Sequence, residues 1–254
     1  MQKPIDSSAS KPSIVGVIPA RYASTRFPGK PLVDILGKTM IQRVVEQVSQ
    51  CAALSRVIVA TDDERIAAHV REFGGEVILT KDNHESGTER IGEVAEKVEA
   101  DYFINIQGDE PLIDPGQIAQ VADLLLAGAG IATLIFPLGD EIRYLDPNAI
   151  KVVINEQQQA MYFSRSPIPH ARDGQGVPKE AWQHIGIYGF RTAILKEVVR
   201  LAPHILEQTE KLEQLRWLAQ GYSIACGITQ EAGHSVDRPE DLEAIFRILH
   251  SRKG

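Results

Sequence analysis

The sequence predicts an α/β fold in which a mostly parallel sheet is flanked by helices. Short apolar, β-branched segments such as IVGVI (14–18) and RVIVA (56–60) recur up to residue 137, and amphipathic segments separate them. Strands that alternate with helices are joined by right-handed crossovers and pair in parallel. The chain has 254 residues, of which 43% are hydrophobic, so it is long enough to form one large domain around a sizeable core.

In the first half, each predicted strand is followed by a predicted helix. The helix predicted over 39–51 has its apolar residues on one face, as expected of a helix that packs against a sheet. Asp62 or Asp63 is a candidate N-cap for the next helix, which continues to Phe73. The predicted strands are 14–18, 56–60, 76–80, 102–107 and 131–136, and the other predicted helices are 88–100 and 115–128.

Beyond residue 137 the pattern changes. Segments 151–155 and 160–165 predict a β-hairpin, and a loop rich in proline and glycine, 166–178, follows it. Segment 184–191 predicts a strand whose glycines allow another group to approach its backbone. The remaining predicted elements are helices over 192–201, 209–220 and 239–251 and a strand over 222–228.

These patterns divide the chain into three parts. Residues 1–13 are expected to form a disordered tail, and residues 14–137 an α/β half. Residues 138–254 are expected to add an antiparallel insertion and the C-terminal helices. The two halves together are expected to make a single compact domain.

Composition limits the partners and the compartment. The net charge is -7 and the positive charge is local, which argues against a general nucleic-acid surface. No apolar run approaches the ~18–20 residues that span a bilayer, and the N-terminus lacks the apolar core of a secretory signal. Cys51 and Cys226 are far apart and outside any CxxC motif, so buried thiols in a reducing cytoplasm are the simplest interpretation.

A basic loop, PARYASTRFPGKPL (19–32), follows the first predicted strand. It carries Arg21, Arg26 and Lys30 and no acidic residue. It lies at the carboxyl end of that strand, where open α/β sheets bind ligands. Neither the dinucleotide glycine motif nor the P-loop motif is present, so a phosphate site here would depend on the fixed cations and on free backbone N–H groups. A solvated loop with incidental charge is the alternative.

A second candidate is the segment INIQGDEPLI (104–113). Its apolar strand delivers Gln107, Asp109 and Glu110 to the same edge of the sheet. Carboxylates at this position suit Mg²⁺, which prefers oxygen ligands and retains substrate phosphates. A turn or a helix start before Pro111 is the alternative.

Two further polar segments can be interpreted as helix N-termini, and the first of them also has a functional interpretation. In HESGTER (84–90), Ser86 or Thr88 could cap a helix, or the loop could bind the edge of a nucleobase. In SVDRPEDLEAI (235–245), Asp237 precedes a helix that begins with proline, a pattern that most often marks a helix N-terminus.

Seven motifs together resemble the 3-deoxy-manno-octulosonate cytidylyltransferases, the CMP-Kdo synthetases of lipopolysaccharide assembly. They occur in order from about Ile14 to Leu249: PARYASTRFPGKPL, HESGTER, NIQGDEP, YFSRSPIP, HIGIYGFR, EKLEQLRWL and VDRPEDLE. The resemblance implies a Rossmann-like sheet of the nucleotide-diphospho-sugar transferase type with an antiparallel dimerisation insertion. Residues 14–137 would then bind CTP, and residues 138–254 would bind Kdo and form the dimer.

The resemblance also assigns residues to the site. Asp109 and Asp237 would hold Mg²⁺, and with Arg21 and Lys30 they would be the catalytic residues. The residues implied at CTP are Arg21, Arg26, Lys30, Ser86, Gly87, Gln107 and Asp109. The residues implied around the acid sugar are Arg165, Arg172, His184, Tyr188, Glu213 and Gln214.

The implied activity is the transfer of CMP from CTP to the anomeric hydroxyl of Kdo, which gives CMP-Kdo and diphosphate. The implied protein is a cytoplasmic homodimer that binds no nucleic acid and does not insert into a membrane. A cytidylyltransferase for another acid sugar, such as sialate, is one alternative, although its first loop resembles ARGGSK rather than ARYASTR. A glycosyltransferase would be expected to carry Asp-x-Asp rather than Asp-Glu-Pro. An inactive CMP-sensing module would not need both metal carboxylates.

Overall fold

The structure is a computed structural model that describes residues 11–23, 27–172, 176–230 and 232–251. Arg26 and the first ten residues of the predicted tail lie outside the described residues. Ser13, at the end of that tail, is joined to the domain because its backbone N–H donates to Asp101 Oδ2 at 2.7 Å.

The elements follow the predicted alternation. Within the described residues, the strands are β1 (Ile14–Ala20), β2 (Asp34–Ile35), β3 (Lys38–Thr39), β4 (Arg56–Thr61), β5 (Glu76–Leu79), β6 (Tyr102–Asn105), β7 (Ile131–Pro137), β8 (Lys151–Ile154), β9 (Ala160–Ser164), β10 (Trp182–Arg191) and β11 (Ile224–Ile228). The α-helices are α1 (Met40–Val48), α2 (Glu64–Glu72), α3 (Gly87–Lys97), α4 (Pro115–Leu126), α5 (Glu141–Leu145), α6 (Thr192–Val198), α7 (Ile205–Glu210), α8 (Gln214–Ala219) and α9 (Leu242–Ser251). Short 3-10 turns occupy Lys30–Leu32 and Pro239–Asp241.

The central sheet has the strand order β11-β7-β10-β6-β1-β4-β5. Strand β1 pairs in parallel with β4 and β6, β4 with β5, and β11 with β7. Only β10 runs antiparallel to its two neighbours in this order, β6 and β7, among the strands that the structure describes. The prediction of a mostly parallel α/β sheet is therefore confirmed.

The position of β10 differs from expectation. Segment 184–191 belongs to the half that was expected to add an antiparallel insertion, but β10 lies in the middle of the sheet, between β6 and β7. The hairpin of β8 and β9 is attached through β8 to the start of β10, where Trp182 pairs with Val152. Strands from both sides of residue 137, where the sequence pattern changes, therefore belong to one continuous sheet.

Two apolar layers cover the faces of the sheet. Buried residues of α3, α6 and α8, among them Ile91, Leu195 and Trp217, pack on one face. Buried residues of α1, α2 and α4 pack on the other. Strand β1 shows why both layers form, since Val15 and Val17 face the first layer while Ile14 and Ile18 face the second.

The helix ends depend on side-chain caps. Asp63, rather than Asp62, caps α2 by accepting from the N–H of Arg65, and Ser86 caps α3 by accepting from the N–H of Glu89. The single helix predicted over 209–220 is wrong, because Lys211 adopts the left-handed conformation (φ 53°, ψ 48°) and ends α7 before α8 begins. No helix in the described part of the chain is long and apolar enough to cross a membrane.

Candidate active site

A cavity of about 460 Å³, the first cavity, opens at the carboxyl ends of β1 and β6. Parallel strands deliver the loops that follow them to one edge of the sheet, so the basic loop and the segment after β6 meet here. The polar residues and the glycine that line it are Arg21, Lys30, Gln107, Gly108, Asp109 and Asp237. Four of the residues predicted at CTP, and both predicted metal ligands, thus share one cavity.

Lys30 connects the two loops of the first cavity to the C-terminal segment. Its Nζ lies 2.6 Å from Asp109 Oδ2 and donates to the carbonyl of Val236 at 2.8 Å. The backbone N–H of Val236 donates in turn to the carbonyl of Asp109 at 2.9 Å. These contacts place Asp237, the next residue, at the same cavity although it lies far along the chain from Asp109.

Glycine is required where the segment after β6 passes β1. A Cβ atom on Gly108 would lie 2.6 Å from the carbonyl oxygen of Pro19, which is closer than atoms can approach. The side chain of Gln107, the preceding residue, is held by β10, because its Nε2 donates to the carbonyl of Gly186 at 2.9 Å. The backbone is thereby drawn against β1 and the Gln107 amide is oriented toward β10.

Arg21 lies at the exposed rim of the first cavity. Its Nη1 donates to the carbonyl of His84 at 3.4 Å, which links the basic loop to the segment that precedes α3. Gly87, at the start of α3, lies against Pro19 and Asn105 and could accept a Cβ atom only if these neighbours moved.

A second cavity, of about 400 Å³, shares Gln107, Asp109 and Asp237 with the first. It extends toward β10, where His184 and Gly186 form part of its wall. The two carboxylates predicted to bind Mg²⁺ therefore lie where the two cavities meet.

Glu110 was predicted to lie at this edge of the sheet, but the resemblance assigned it no role at the site. It lines the second cavity and is 7% exposed, and its carboxylate accepts no hydrogen bond from the residues that the structure describes. Burial and the adjacent charge of Asp109 raise the pKa of its carboxyl from 4.5 to about 7. The Asp-Glu-Pro order was the available signal, but sequence alone does not show which carboxylate is buried.

His184 and Tyr188 form a tilted aromatic pair in β10. A register shift between Ile185 and Tyr188 interrupts the pairing with β7, and the two rings lie 5.1 Å apart. Residues four apart in a regular strand are separated by about 13 Å, so the irregularity brings the rings together. Burial lowers the pKa of His184 to about 3, so the ring is neutral at pH 7.

The hydroxyl of Tyr188 is buried and has no hydrogen-bond partner in the described structure. Its ring packs edge-on against Trp217 at 5.1 Å. Tyr188 is thus part of the first apolar layer, and its contact with a sugar remains a prediction.

Ser86 and Glu213, predicted at different substrates, contact each other. Ser86 Oγ donates to Glu213 Oε1 at 2.7 Å, and Thr88 Oγ1 donates to Glu213 Oε2 at 2.6 Å. Burial raises the pKa of Glu213, although the two hydroxyl donors act in the opposite direction. Both residues line a third cavity, of about 390 Å³, beside α7 and α8.

The guanidinium of Arg165 is held by backbone carbonyls. Nε donates to Glu210 at 2.7 Å, Nη1 to Pro147 at 2.9 Å and Nη2 to Lys211 at 3.4 Å. Lys151, which is fully buried, donates to the carbonyl of Arg165 at 2.6 Å. The side chain of Arg165 is therefore held rather than free, whereas its contact with a sugar remains a prediction.

The two remaining residues predicted at the sugar, Arg172 and Gln214, lie in an exposed loop and in a buried helix turn. Arg172 is exposed and borders residues 173–175, which lie outside the described structure. Gln214 is buried in the first turn of α8.

The chemistry of the donor set fits Mg²⁺. Asp109 already faces a cation, the Lys30 ammonium, and Asp237 lines the same two cavities. No group of three metal-binding side chains occurs among the residues that the structure describes. A two-carboxylate site is nonetheless typical of Mg²⁺, which takes its remaining ligands from water and substrate phosphates.

Comparison with known proteins identifies the family. Residues 15–224 match the cytidylyltransferase family model. A 3-deoxy-manno-octulosonate cytidylyltransferase from Cytophaga hutchinsonii is 47% identical over 252 residues, which cover 96% of this chain and 99% of the relative. The chain belongs to the 3-deoxy-manno-octulosonate cytidylyltransferase family. A second relative of the same name, from Vibrio parahaemolyticus, is 50% identical and covers 93% of this chain and 98% of its own.

Solved structures agree with this assignment. A structure of CMP:2-keto-3-deoxy-manno-octonic acid synthetase complexed with CTP has a TM-score of 0.89 and 42% identity, and covers 94% of this chain and 99% of its own. A cytidylyltransferase from Leptospira borgpetersenii, at 15% identity and a TM-score of 0.65, shares the fold. The α/β fold and the family expected from the seven motifs are therefore confirmed, whereas the dimerising role of the insertion remains a prediction.

Proposed function

We propose that this protein transfers CMP from CTP to the anomeric hydroxyl of Kdo and releases diphosphate. The observation that carries the proposal is the meeting of the first and second cavities at Gln107, Asp109 and Asp237. A reaction between two bound substrates needs two adjoining sites with charge control at the junction. Relatives that bear this activity in their names, at 45% identity or more, support the same conclusion.

The first cavity suits the triphosphate of CTP. Lys30 and Arg21 place two cations on its wall. Cations here neutralise the charge that develops on diphosphate as it leaves, and this is the main requirement of phosphoryl transfer. To bind the triphosphate, the Lys30 ammonium would exchange Asp109 for phosphate oxygens.

The second cavity suits the acid sugar. The oxygen of the anomeric hydroxyl bonds to the α-phosphorus, the bond from that phosphorus to the bridging oxygen breaks, and the hydroxyl proton passes to solvent. Neutral His184 and the side-chain amides of Asn148 and Gln183, which line this cavity, can position the hydroxyls of the sugar. Asp109 and Asp237 would hold Mg²⁺ between the two substrates. When bound, the metal supplies charge neutralisation and lowers the pKa of the attacking hydroxyl.

The setting of the reaction is also part of the proposal. We expect a cytoplasmic enzyme of lipopolysaccharide biosynthesis that acts as a homodimer and binds neither nucleic acid nor membrane. The exposed apolar side chains of Met161 in β9 and of Ile142 and Leu145 in α5 support association, because they are 62%, 82% and 59% exposed.

The test is to incubate the protein with CTP, Kdo and Mg²⁺ and to follow CMP-Kdo and diphosphate by phosphorus NMR. We expect both products in equal amounts, and none from Asp109→Asn, because an amide is an uncharged and poorer Mg²⁺ ligand. Sialate in place of Kdo, and the 8-amino analogue of Kdo, would define the sugar. Diphosphate release with sialate but not with Kdo would contradict the proposal.

A further inference from the structure

The carboxylate of Glu213 is hydrogen-bonded to the start of α3, and it faces neither of the two cavities that meet at Asp109. It accepts from the hydroxyls of Ser86 and Thr88, which lie 127 and 125 residues away along the chain. Glu213 does not line the first or the second cavity as the described residues form them. This position is unexpected for a residue whose predicted partner is the sugar.

The hydroxyl protons of Ser86 and Thr88 are both donated to the carboxylate of Glu213. Ser86 Oγ gives its proton to Glu213 and accepts from the backbone N–H of Glu89 at 3.1 Å. A serine hydroxyl has one proton and two lone pairs, so Ser86 retains a single acceptor position for any ligand. Thr88, which is 2% exposed, is fixed by its own donation to Glu213. The carboxylate therefore determines how these side chains are oriented.

The segment 84–88 is also joined to the first cavity. Arg21, on the rim of that cavity, donates to the carbonyl of His84. Gly87 lies beside Pro19, another residue of the cavity wall, because a Cβ atom added at Gly87 would lie 3.4 Å from Pro19 Cγ. A shift of segment 84–88 would consequently move both contacts.

We propose that Glu213 is a positioning residue for the nucleotide, and that its carboxylate holds segment 84–88 against the first cavity through Ser86 and Thr88. This inference rests on the proposed function, since it takes the nucleotide of the first cavity to be CTP. It predicts that loss of Glu213 weakens the binding of CTP when no sugar is present, which a residue that contacts only Kdo would not do.

The experiment measures CTP binding by calorimetry, without sugar, for the full-length chain. Glu213→Ala leaves two hydroxyls without their acceptor, and we expect CTP affinity to fall by about five- to fifty-fold. Glu213→Gln keeps one acceptor oxygen, so a smaller loss is expected. The losses from Glu213→Ala and Ser86→Ala should not add in the double variant, because one acts through the other.

Glu207→Gln is the matched control. Glu207 lies in the same third cavity and is bonded to Arg216 of α8 at 2.6 and 2.7 Å, without contact to segment 84–88. Its replacement should leave CTP affinity unchanged, and an equal loss in this variant would indicate general loosening of α7 and α8 and would overturn the inference.

Unchanged CTP affinity in both Glu213 variants, with a raised KM for Kdo alone, would also overturn it. If Glu213→Ala does not fold, the CTP affinity of the nearly isosteric Glu213→Gln, measured by the same calorimetry, tests the inference in its place. A wild-type protein that binds CTP but forms no CMP-Kdo would contradict the proposed function and leave this comparison of affinities intact.

Discussion

Glu110 is buried beside Asp109 at the wall of the second cavity, and its environment opposes ionisation. Burial and the charge of Asp109 raise its pKa from 4.5 to about 7. Between these pH values the folded protein holds a proton that the unfolded chain releases. The free energy of unfolding therefore falls as the pH rises through this interval.

We expect Glu110→Gln to remove this pH dependence. In the protein without metal and nucleotide, the variant should be more stable than wild type above pH 7, by on the order of 2–3 kcal/mol. Below the unfolded pKa of 4.5 both side chains are neutral, so the difference should vanish. Urea unfolding above pH 7 and below pH 4.5 measures this difference in the free energy of unfolding. An equal difference at both pH values would contradict the pKa shift.

Arg165 combines a structural and a predicted binding role, which can be measured separately. Arg165→Ala removes the donors to Glu210, Pro147 and Lys211. A charge-assisted contact with the carboxylate of Kdo, if lost, costs about 2–4 kcal/mol, so KM for Kdo should rise roughly thirty-fold to several-hundred-fold. CTP affinity should change little.

Steady-state kinetics with each substrate in turn gives these values, and thermal unfolding reports the loss of the carbonyl contacts. Equal losses for CTP and Kdo would show that Arg165 supports the whole site rather than the sugar.

At the scale of elements, β10 depends on glycine to pack against α4. A Cβ atom on Gly189 would lie 2.5 Å from Val121 Cγ1 and 2.7 Å from Leu125 Cδ1. The glycines of this strand were expected to admit another group to the backbone, and at Gly189 that group is a helix of the same chain.

Gly189→Ala should therefore overpack the layer between β10 and α4 and destabilise the protein by about 1–3 kcal/mol. Gly186→Ala is the control in the same strand, because its nearest neighbour would be Gln107 Cγ at an ordinary 3.8 Å. The midpoints of denaturant unfolding compare the two variants. Similar losses in both would mean that the contacts with α4 are not the cause.

At the scale of the whole molecule, the hairpin of β8 and β9 adds an antiparallel surface to the sheet and carries the exposed Met161. Exposed sheet surface tends to be covered, and the proposed homodimer would cover it with a second copy of the chain.

We expect sedimentation to give twice the chain mass of 28.0 kDa at micromolar concentration. Met161→Glu should weaken the association, since it places a charge on this surface, whereas Met161→Leu should not. A mass of 28.0 kDa for the wild type would contradict the homodimer.

The sequence by itself determined the class of fold, the order of most elements and the family. These depend on local signals, such as the apolar period of β1 and α1, and on motifs whose residues are adjacent in the chain. The loops that carry Arg21 and Asp109 could be placed at one edge because parallel strands end together. The role of each site residue at its substrate remains a prediction.

Only the tertiary structure decided which distant segments meet. Strand β10 entered the middle of the sheet, its irregular register brought His184 against Tyr188, and Glu213 became bonded to Ser86 rather than placed at the second cavity. Hydrophobic period encodes which face of an element is buried but not which element covers it. Pairing between segments more than a hundred residues apart is decided by packing and hydrogen bonding of the whole chain, so the residue contacts of the site could not be obtained from local patterns.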